Sequence, residues 1–290
     1  MDLKVNPVTV GRVTIGGSGE GTGGGFGPLV LIAGPCVIED PESCLEAAEG
    51  LAEICGRVGI DLIFKASYDK ANRTSAGSYR GPGFDSGMEV LAGIRDKVGI
   101  PVTSDIHWPE QAGDAAAVLD ILQIPAFLCR QTDLLTAAAA TGKPVNVKKG
   151  QFLSPWDVKG ISGKVNGGRN LVITERGTTF GYNNLVVDFR SFPVIRELGL
   201  PVVYDATHSL QLPGGLGSSS GGMREYIPHL CRAAVACGVD GIFMEVHPDP
   251  DRAPCDGPNM WPMDRLEALL RQLLAIRAAA GQDSSGADSP

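Results

Sequence analysis

The chain has 290 residues, 43% of them hydrophobic, and a formal net charge of −8, which suits one α/β barrel of about 250 residues with short additions. The acidic balance argues against nucleic acid as the main partner, and no apolar run approaches the ~20 residues that span a membrane. Seven cysteines without disulfide-scaffold spacing, and an N-terminus without a signal-peptide pattern, predict a soluble cytoplasmic protein with reduced thiols.

The first residues predict a short hairpin followed by a connector. Residues 5–16 alternate apolar and polar side chains around a glycine, as in a β-hairpin. Residues 16–27, GGSGEGTGGGFG, predict a flexible connector, because a phosphate-binding loop would carry Lys-Ser/Thr and precede a helix. The small, polar segment 281–290 predicts a disordered tail. We therefore predict one domain over residues 1–280.

Between these ends, one unit of a short apolar strand followed by a helical run recurs along the chain. The predicted strands are 29–34, 61–66, 101–106, 120–124, 145–149, 171–175, 202–206 and 241–246. The predicted helices include 42–57, 86–98, 109–118, 132–141, 188–198, 224–237 and 264–279; Pro193 and Pro228 leave the starts of two of them open. Eight alternating strands predict an α/β protein with a closed (β/α)₈ TIM barrel. The competing doubly wound sheet would need a nucleotide fingerprint that this sequence lacks.

Polar and reactive residues follow every predicted strand, at the end of a barrel where active sites lie. Charged groups beside a packed core are costly unless they are paired or used, so this pattern predicts a functional site. The residues at the strand ends include Cys36, Lys65, Ser67, Lys70, Asn72, Arg73, Asp105, His107, Gln123, Lys148, Lys149, Arg176, Asp205, His208, Glu245, His247 and Asp256.

One subset of these residues is cationic, and it indicates an anionic substrate. Its members are Lys65, Lys70, Arg73, Lys148 and Arg176. Converging cations in an acidic protein favour a small ligand that carries phosphate and carboxylate groups, which arginine can bind in a bidentate manner. The alternative is that each cation pairs with a nearby acidic residue.

A second subset could hold a divalent transition ion: Cys36, His208, Glu245 and Asp256. These residues form no compact ligand motif, and Cys36 taken alone could instead be a buried apolar residue or a nucleophile. The metal interpretation is favoured by position, since the residues follow the first, seventh and eighth strands, which adjoin where the barrel closes.

Several segments together resemble 3-deoxy-D-manno-octulosonate 8-phosphate synthase over about residues 5–278: FKASYDKANRTS, SYRGPG, DIHWPEQA, QIPAFLCRQTDLL, NVKKGQF, ERGTTFGYNNLVVDFR, DATHSLQ and EVHPDPDRAPCDGP. The resemblance implies a homotetrameric barrel whose N-terminal hairpin caps the bottom. It also implies that phosphoenolpyruvate, D-arabinose 5-phosphate and water are converted into the eight-carbon sugar phosphate and inorganic phosphate, with C–O cleavage. The product of that family is used in lipopolysaccharide biosynthesis.

Two other functions stay open at this point. The related 3-deoxy-D-arabino-heptulosonate 7-phosphate synthases act on erythrose 4-phosphate, but they typically carry Lys-Pro-Arg-Thr after the second strand, where this chain has KANRT at 70–74. Thr74 keeps the hydroxyl of the serine that is common at this place. The remaining hypothesis is a non-catalytic barrel that only binds sugar phosphates.

The octulosonate family has a metal-free branch with Asn in place of Cys36 and a metal-dependent branch. The resemblance implies that this chain belongs to the second and that Cys36, His208, Glu245 and Asp256 bind zinc, iron, manganese or cobalt. The segment CDGPN around Asp256 does not discriminate between the branches, so the inference depends on Cys36.

The resemblance also assigns the substrate contacts. Phosphoenolpyruvate is expected to contact Lys65, Ser67, Lys70, Gln123, Lys148 and Arg176. The pentose phosphate is expected to contact Asn72, Arg73 and Thr74, and in the family this pentose site is completed across a subunit boundary near the segment PAFLCRQ. Asp105 is expected in the substrate site, and the predicted catalytic groups are Lys70, Lys148, His208 and Asp256.

Overall fold

A computed structural model describes residues 4–17, 26–72, 77, 79–181, 184–212 and 221–281. Most of the predicted connector at 16–27, nearly all of the predicted tail at 281–290, and the predicted site residues Arg73 and Thr74 lie outside these ranges.

Eight parallel strands close into a barrel, which confirms the predicted (β/α)₈ fold. The strands of the described residues are, in chain order, β1 (Val8–Val10), β2 (Val13–Ile15), β3 (Val30–Gly34), β4 (Asp61–Lys65), β5 (Val102–Asp105), β6 (Ile121–Ile124), β7 (Val145–Lys148), β8 (Leu171–Glu175), β9 (Thr178–Gly181), β10 (Asn184–Val186), β11 (Val202–Asp205), β12 (Gln211–Leu212), β13 (Gly221–Gly222), β14 (Gly241–His247) and β15 (Trp261–Pro262). The barrel runs β3-β4-β5-β6-β7-β8-β11-β14, and β14 pairs with β3 to close it. The first, seventh and eighth predicted strands are therefore neighbours, as expected.

The helices are α1 (Pro41–Val58), α2 (Phe84–Val98), α3 (Gln111–Val118), α4 (Thr132–Ala140), α5 (Val158–Lys164), α6 (Ser191–Glu197), α7 (Ile227–Ala236) and α8 (Leu266–Ala280). The seven predicted helices are confirmed, although α6 and α7 each begin three residues later than predicted. Pro193 and Pro228 then fall in the first turns of these helices, where a missing N–H costs no hydrogen bond. Within the described ranges, no helix has both the length and the hydropathy needed to cross a membrane.

The N-terminal hairpin closes the amino-terminal end of the barrel, as the resemblance implied. Val8, Val10, Val13 and Ile15 are buried in one apolar cluster with side chains inside the barrel, including Ile63 and Phe243. Both hairpin strands turn alternate residues inward, as a period of two requires. This plug leaves the carboxyl end of the barrel for chemistry.

The first strand-to-helix connection places Cys36 at that end. A side chain at Gly34 would clash with the carbonyl group of Lys65 in the neighbouring strand, so only glycine allows β3 and β4 to approach here. Helix α1 then starts at Pro41, capped by Asp40, whose carboxylate accepts a hydrogen bond from the Ser43 amide at 2.9 Å. The short segment between strand and helix carries the buried Cys36.

Candidate active site

A cavity of about 1030 Å³ opens at the carboxyl end of the barrel, which is spacious for one small ligand. It is lined by many of the residues predicted from the strand ends: Lys65, Lys70, Asn72, Asp105, Lys148, Arg176, His208, Glu245 and Asp256. Cys36, Ser67 and Gln123 are fully buried and contact the groups that line the cavity. The structure thus gathers the described members of both predicted subsets around one space.

Two buried lysines on the cavity wall are paired with acidic residues. The Lys148 ammonium lies 2.9 Å from Asp205 Oδ2 and 3.5 Å from the centre of the Phe243 ring. The Lys65 ammonium lies 3.2 Å from Glu245 Oε1 and donates a hydrogen bond to the Cys36 carbonyl oxygen at 2.9 Å. Burial lowers the pKa of Lys148, which the carboxylates of Asp205 and Asp105 counteract.

The guanidinium group of Arg176 is less well compensated. Arg176 is only 7% exposed, and among the described residues its one side-chain hydrogen bond is a long contact of 3.5 Å from Nη2 to Gln211 Oε1. Burial lowers the pKa of Arg176, although several more distant carboxylates oppose the shift. A buried guanidinium with unused donors that faces a cavity is suited to an anionic ligand.

A chain of hydrogen bonds below the cavity fixes Asp105. Ser67 Oγ donates to Asp105 Oδ2 at 3.0 Å, and Gln123 Nε2 donates to Asp105 Oδ1 at 2.8 Å. The oxygen of the Gln123 amide accepts from Asn146 Nδ2 at 3.1 Å. Two of the predicted substrate contacts, Ser67 and Gln123, therefore hold Asp105 in place here, and Asp105 itself lines the cavity.

The four predicted metal ligands form two groups that share Asp256. Ligand atoms of His208, Glu245 and Asp256 lie within 4.8 Å of one another, and the same holds for Cys36, Cys255 and Asp256. Cys36 Sγ lies 3.2 Å from Asp256 Oδ2, and His208 Nε2 lies 3.5 Å from Glu245 Oε1. Asp256 has a φ of 50°, a left-handed conformation that aspartate adopts more readily than most residues.

One observation tests whether these residues fit a metal ion. In the described part of the chain, Glu245 Oε2 is buried and has no hydrogen-bond partner, whereas buried carboxylate oxygens are normally satisfied. Glu245, His208 and Asp256 would hold an ion beside this oxygen, and Cys36, which contacts Asp256, would add a thiolate to ligand types that divalent transition metals prefer. The residues present fit such an ion.

Lys70 brings a positive charge to the same group. Its ammonium lies 3.6 Å from Glu245 Oε1 and 3.5 Å from Asp256 Oδ2. Burial opposes the ionisation of both acids, but Lys70 and other nearby cations hold the pKa of Glu245 and the pKa of Asp256 below their ordinary values. Both groups are thus present as carboxylates, which is the form that binds a metal ion.

Asp205 is a site residue whose role the sequence did not reveal. It is completely buried and its carboxylate contacts His208 Nδ1 at 2.9 and 3.1 Å as well as the Lys148 ammonium. With the proton on Nδ1, the imidazole donates to Asp205 and turns the lone pair of Nε2 towards Glu245. The available signal was the spacing in DATH, an aspartate at the end of a strand and a histidine three residues later. Cys255 was also missed as a neighbour of Cys36.

Comparison with known proteins gives the family. A model of the DAHP synthetase I family matches residues 12–279. The chain belongs to that family. Three similar proteins are all named 2-dehydro-3-deoxyphosphooctonate aldolase. The protein from Desulfatibacillum aliphaticivorans is 62% identical over 255 residues, which cover 87% of this chain and 93% of the relative. Those from Geobacter sp. strain M21 and Trichlorobacter lovleyi are 60% identical over 277 residues (95% of this chain, 98% of the relative) and 63% identical over 257 residues (88% of this chain, 94% of the relative).

The relatives' name denotes the octulosonate 8-phosphate synthase that the sequence motifs resemble, so the resemblance is confirmed. Within the DAHP synthetase I family this chain is an enzyme of the 2-dehydro-3-deoxyphosphooctonate aldolase group.

Proposed function

We propose that the protein condenses phosphoenolpyruvate with D-arabinose 5-phosphate and water to 3-deoxy-D-manno-octulosonate 8-phosphate and inorganic phosphate, in a reaction that depends on a divalent metal ion. The observation that carries this proposal is the arrangement within one cavity. The under-compensated guanidinium of Arg176 and the buried Lys148 line the same space as His208, Glu245 and Asp256, which are suited to a metal ion.

The cavity wall that carries Arg176, Lys148 and Lys65, here called the cationic wall, suits phosphoenolpyruvate. This substrate carries a carboxylate and a phosphate on a three-carbon skeleton. Arg176 has donors available for bidentate binding of one of these groups. Lys148 and Lys65 are held by Asp205 and Glu245 at fixed positions on the same wall. Fixed charges that face developing negative charge usually contribute more to catalysis than any other single effect, so we assign this wall to stabilising the phosphate as it leaves.

In the proposed reaction, C3 of phosphoenolpyruvate bonds to the aldehyde carbon of the open-chain pentose, and water adds its oxygen at C2. That oxygen becomes the C2 carbonyl as the phosphate leaves with the bridging oxygen, and the two protons of the water balance those taken up by the former aldehyde oxygen and by the phosphate. An ion held by Cys36, His208, Glu245 and Asp256 would act as a Lewis acid on the aldehyde or would lower the pKa of the water. We assign to Lys70, which contacts Glu245 and Asp256, the donation of a proton to the aldehyde oxygen, which becomes the new hydroxyl group. We assign Asn72, which lines the cavity, with Arg73 and Thr74 to the pentose phosphate.

The choice of sugar separates this function from its alternatives. We expect kcat/KM for arabinose 5-phosphate to exceed that for erythrose 4-phosphate by about 100-fold or more, because the site must bind the terminal phosphate at the distance set by five carbons. Steady-state phosphate release with each sugar measures the ratio. A preference for the four-carbon sugar would indicate a heptulosonate 7-phosphate synthase, and no phosphate release with either would favour a barrel that only binds sugar phosphates.

We further propose a homotetramer in which the carboxyl end of the barrel, where the cavity opens, lies at a subunit contact. The loops after β5, β6 and β7 and the strand β9 expose large apolar side chains: Trp108, Phe127, Phe152, Trp156 and Phe180 are each more than half exposed. Exposed aromatic residues concentrated on one side of a protein are typical of interaction surfaces.

The seven cysteines are all free thiols, which supports the proposal of a cytoplasmic location.

Substitution of an exposed aromatic residue tests the assembly. Native mass spectrometry should give the mass of four chains for the unchanged protein and smaller species for Trp156→Glu, because the variant would bury a charge in the contact. Tyr226→Glu, which changes an exposed aromatic residue at the start of α7, is the control and should remain a tetramer. A fully active monomer of the unchanged protein would contradict the proposal.

A further inference from the structure

A second thiol lies beside the proposed metal site. The sulfur atoms of Cys36 and Cys255 and a carboxylate oxygen of Asp256 all lie within 4.8 Å of one another. Both cysteines are free and nearly or fully buried. Cys255 is also one of the residues that line the cavity. The Cys36 group is adjacent to the group of His208 and Glu245, because Asp256 belongs to both.

The fold holds Cys255 in this place. Cys36 follows β3 and Cys255 follows β14, and these strands are adjacent in the barrel. The loop that carries Cys255 is fixed by Arg224, which donates from Nη2 to the Gly257 carbonyl oxygen at 2.9 Å and contacts Asp251. A side chain at Gly257 would clash with the carbonyl group of Pro250. The proximity of the two sulfurs therefore follows from the strand order and from a constrained turn.

Apolar packing is the simpler explanation for the two thiols, since Cys36, Val37, Cys255 and Met260 form a small buried cluster. Cys36 Sγ also donates a hydrogen bond to Asp256 Oδ2 at 3.2 Å, so the two thiols lie next to a carboxylate as well as next to apolar side chains. A ligand set of two thiols and a carboxylate binds zinc, cadmium and cobalt more tightly than it binds manganese or magnesium.

We infer that Cys255 is a further ligand of the ion in the proposed site and that it gives the site a preference for thiophilic metals. The thiol would release its proton to solvent when it binds the ion. This inference rests on the metal site of the proposed function, but it concerns a residue outside the four predicted ligands. The second thiolate would strengthen binding of zinc and cadmium and would affect manganese little.

The number of bound thiolates can be counted spectroscopically. Cobalt-loaded protein should show a near-ultraviolet charge-transfer band from two thiolates, and Cys255→Ser should retain about half of its intensity. The zinc affinity of Cys255→Ser should fall by about ten-fold or more, while its manganese affinity should change by less than about two-fold. Cys44→Ser alters a buried thiol on α1 and should leave the band unchanged.

A measurement on the unchanged protein avoids any effect of substitution on folding. Zinc should protect Cys255 from alkylation, as followed by mass spectrometry, whereas the exposed Cys237 should react equally with and without zinc. An undiminished cobalt band in a folded Cys255→Ser variant, or equal alkylation of Cys255 with and without zinc, would overturn the inference. If Cys255→Ser keeps the full cobalt band but Cys36→Ser loses it, the inference about Cys255 fails while the proposed metal site still holds. If the unchanged protein binds no cobalt, the proposed metal site itself fails.

Discussion

Cys36→Ala should lose both the bound metal ion and almost all activity. Cys36 lies 3.2 Å from Asp256 and supplies a soft ligand, and thiolate provides much of the selectivity for transition metals over the more abundant magnesium. We expect turnover below about 1% of the unchanged enzyme, because the proposed ion contributes Lewis-acid chemistry worth several kcal/mol. Metal content by elemental analysis, together with phosphate release, measures both losses in the same sample.

Two further variants show whether the loss belongs to the ion. Cys44→Ala removes another buried thiol, on the outer helix α1, and should retain metal and activity. Cys36→Asn introduces the residue of the metal-free branch, whose amide can make neutral hydrogen bonds in place of metal coordination. That variant should keep measurable activity that a strong chelator no longer abolishes. Full activity of Cys36→Ala without metal would show that Cys36 is not a functional ligand.

Arg176→Ala should reduce kcat/KM by about 100-fold or more, equivalent to ~2.7 kcal/mol of transition-state stabilisation. The guanidinium is buried, and among the described residues its side chain has only the 3.5 Å hydrogen bond to Gln211, so its interaction energy is available for the substrate. A charge-assisted hydrogen bond contributes ~1.5–3 kcal/mol even without a catalytic role. Steady-state kinetics with both substrates varied would measure the loss and its division between kcat and KM.

Arg271→Ala is the matched control for this prediction. Arg271 lies on the outer helix α8, and its side chain is more than half exposed and pairs with Glu267, so its removal should leave kcat/KM unchanged. If kcat/KM of Arg176→Ala is close to that of the unchanged enzyme, the buried guanidinium does not contact the substrate.

The strands were predictable because each is a short apolar run that ends in polar residues, and this pattern follows directly from burial on both faces of a parallel sheet. Helix α5 was not among the predicted helices, since its sequence VKGISGK contains two glycines and shows weak periodicity. The hairpin of β9 and β10 was also missed, because it packs as a partly exposed extension outside the barrel repeat.

The candidate site could be predicted as a set of strand-end residues, but its internal contacts could not. Sequence position indicated that Cys36, His208 and Glu245 would meet where the barrel closes. It gave no information on Cys255, because the approach of this thiol depends on how the loop after β14 turns at Asp256. Nor did it show that Asp205 would bridge His208 and Lys148, since the direction of a side chain at the end of a strand depends on its packed neighbours.

The most direct test of the proposed reaction uses phosphoenolpyruvate labelled with oxygen-18 in the bridge between carbon and phosphorus. The metal-loaded enzyme is incubated with this substrate and arabinose 5-phosphate, and the products are identified by mass spectrometry. We predict an eight-carbon sugar phosphate in equal amount to the released phosphate, with the label in the phosphate, because the C–O bond breaks. An absent eight-carbon product, or a label retained in the sugar, would contradict the proposed reaction.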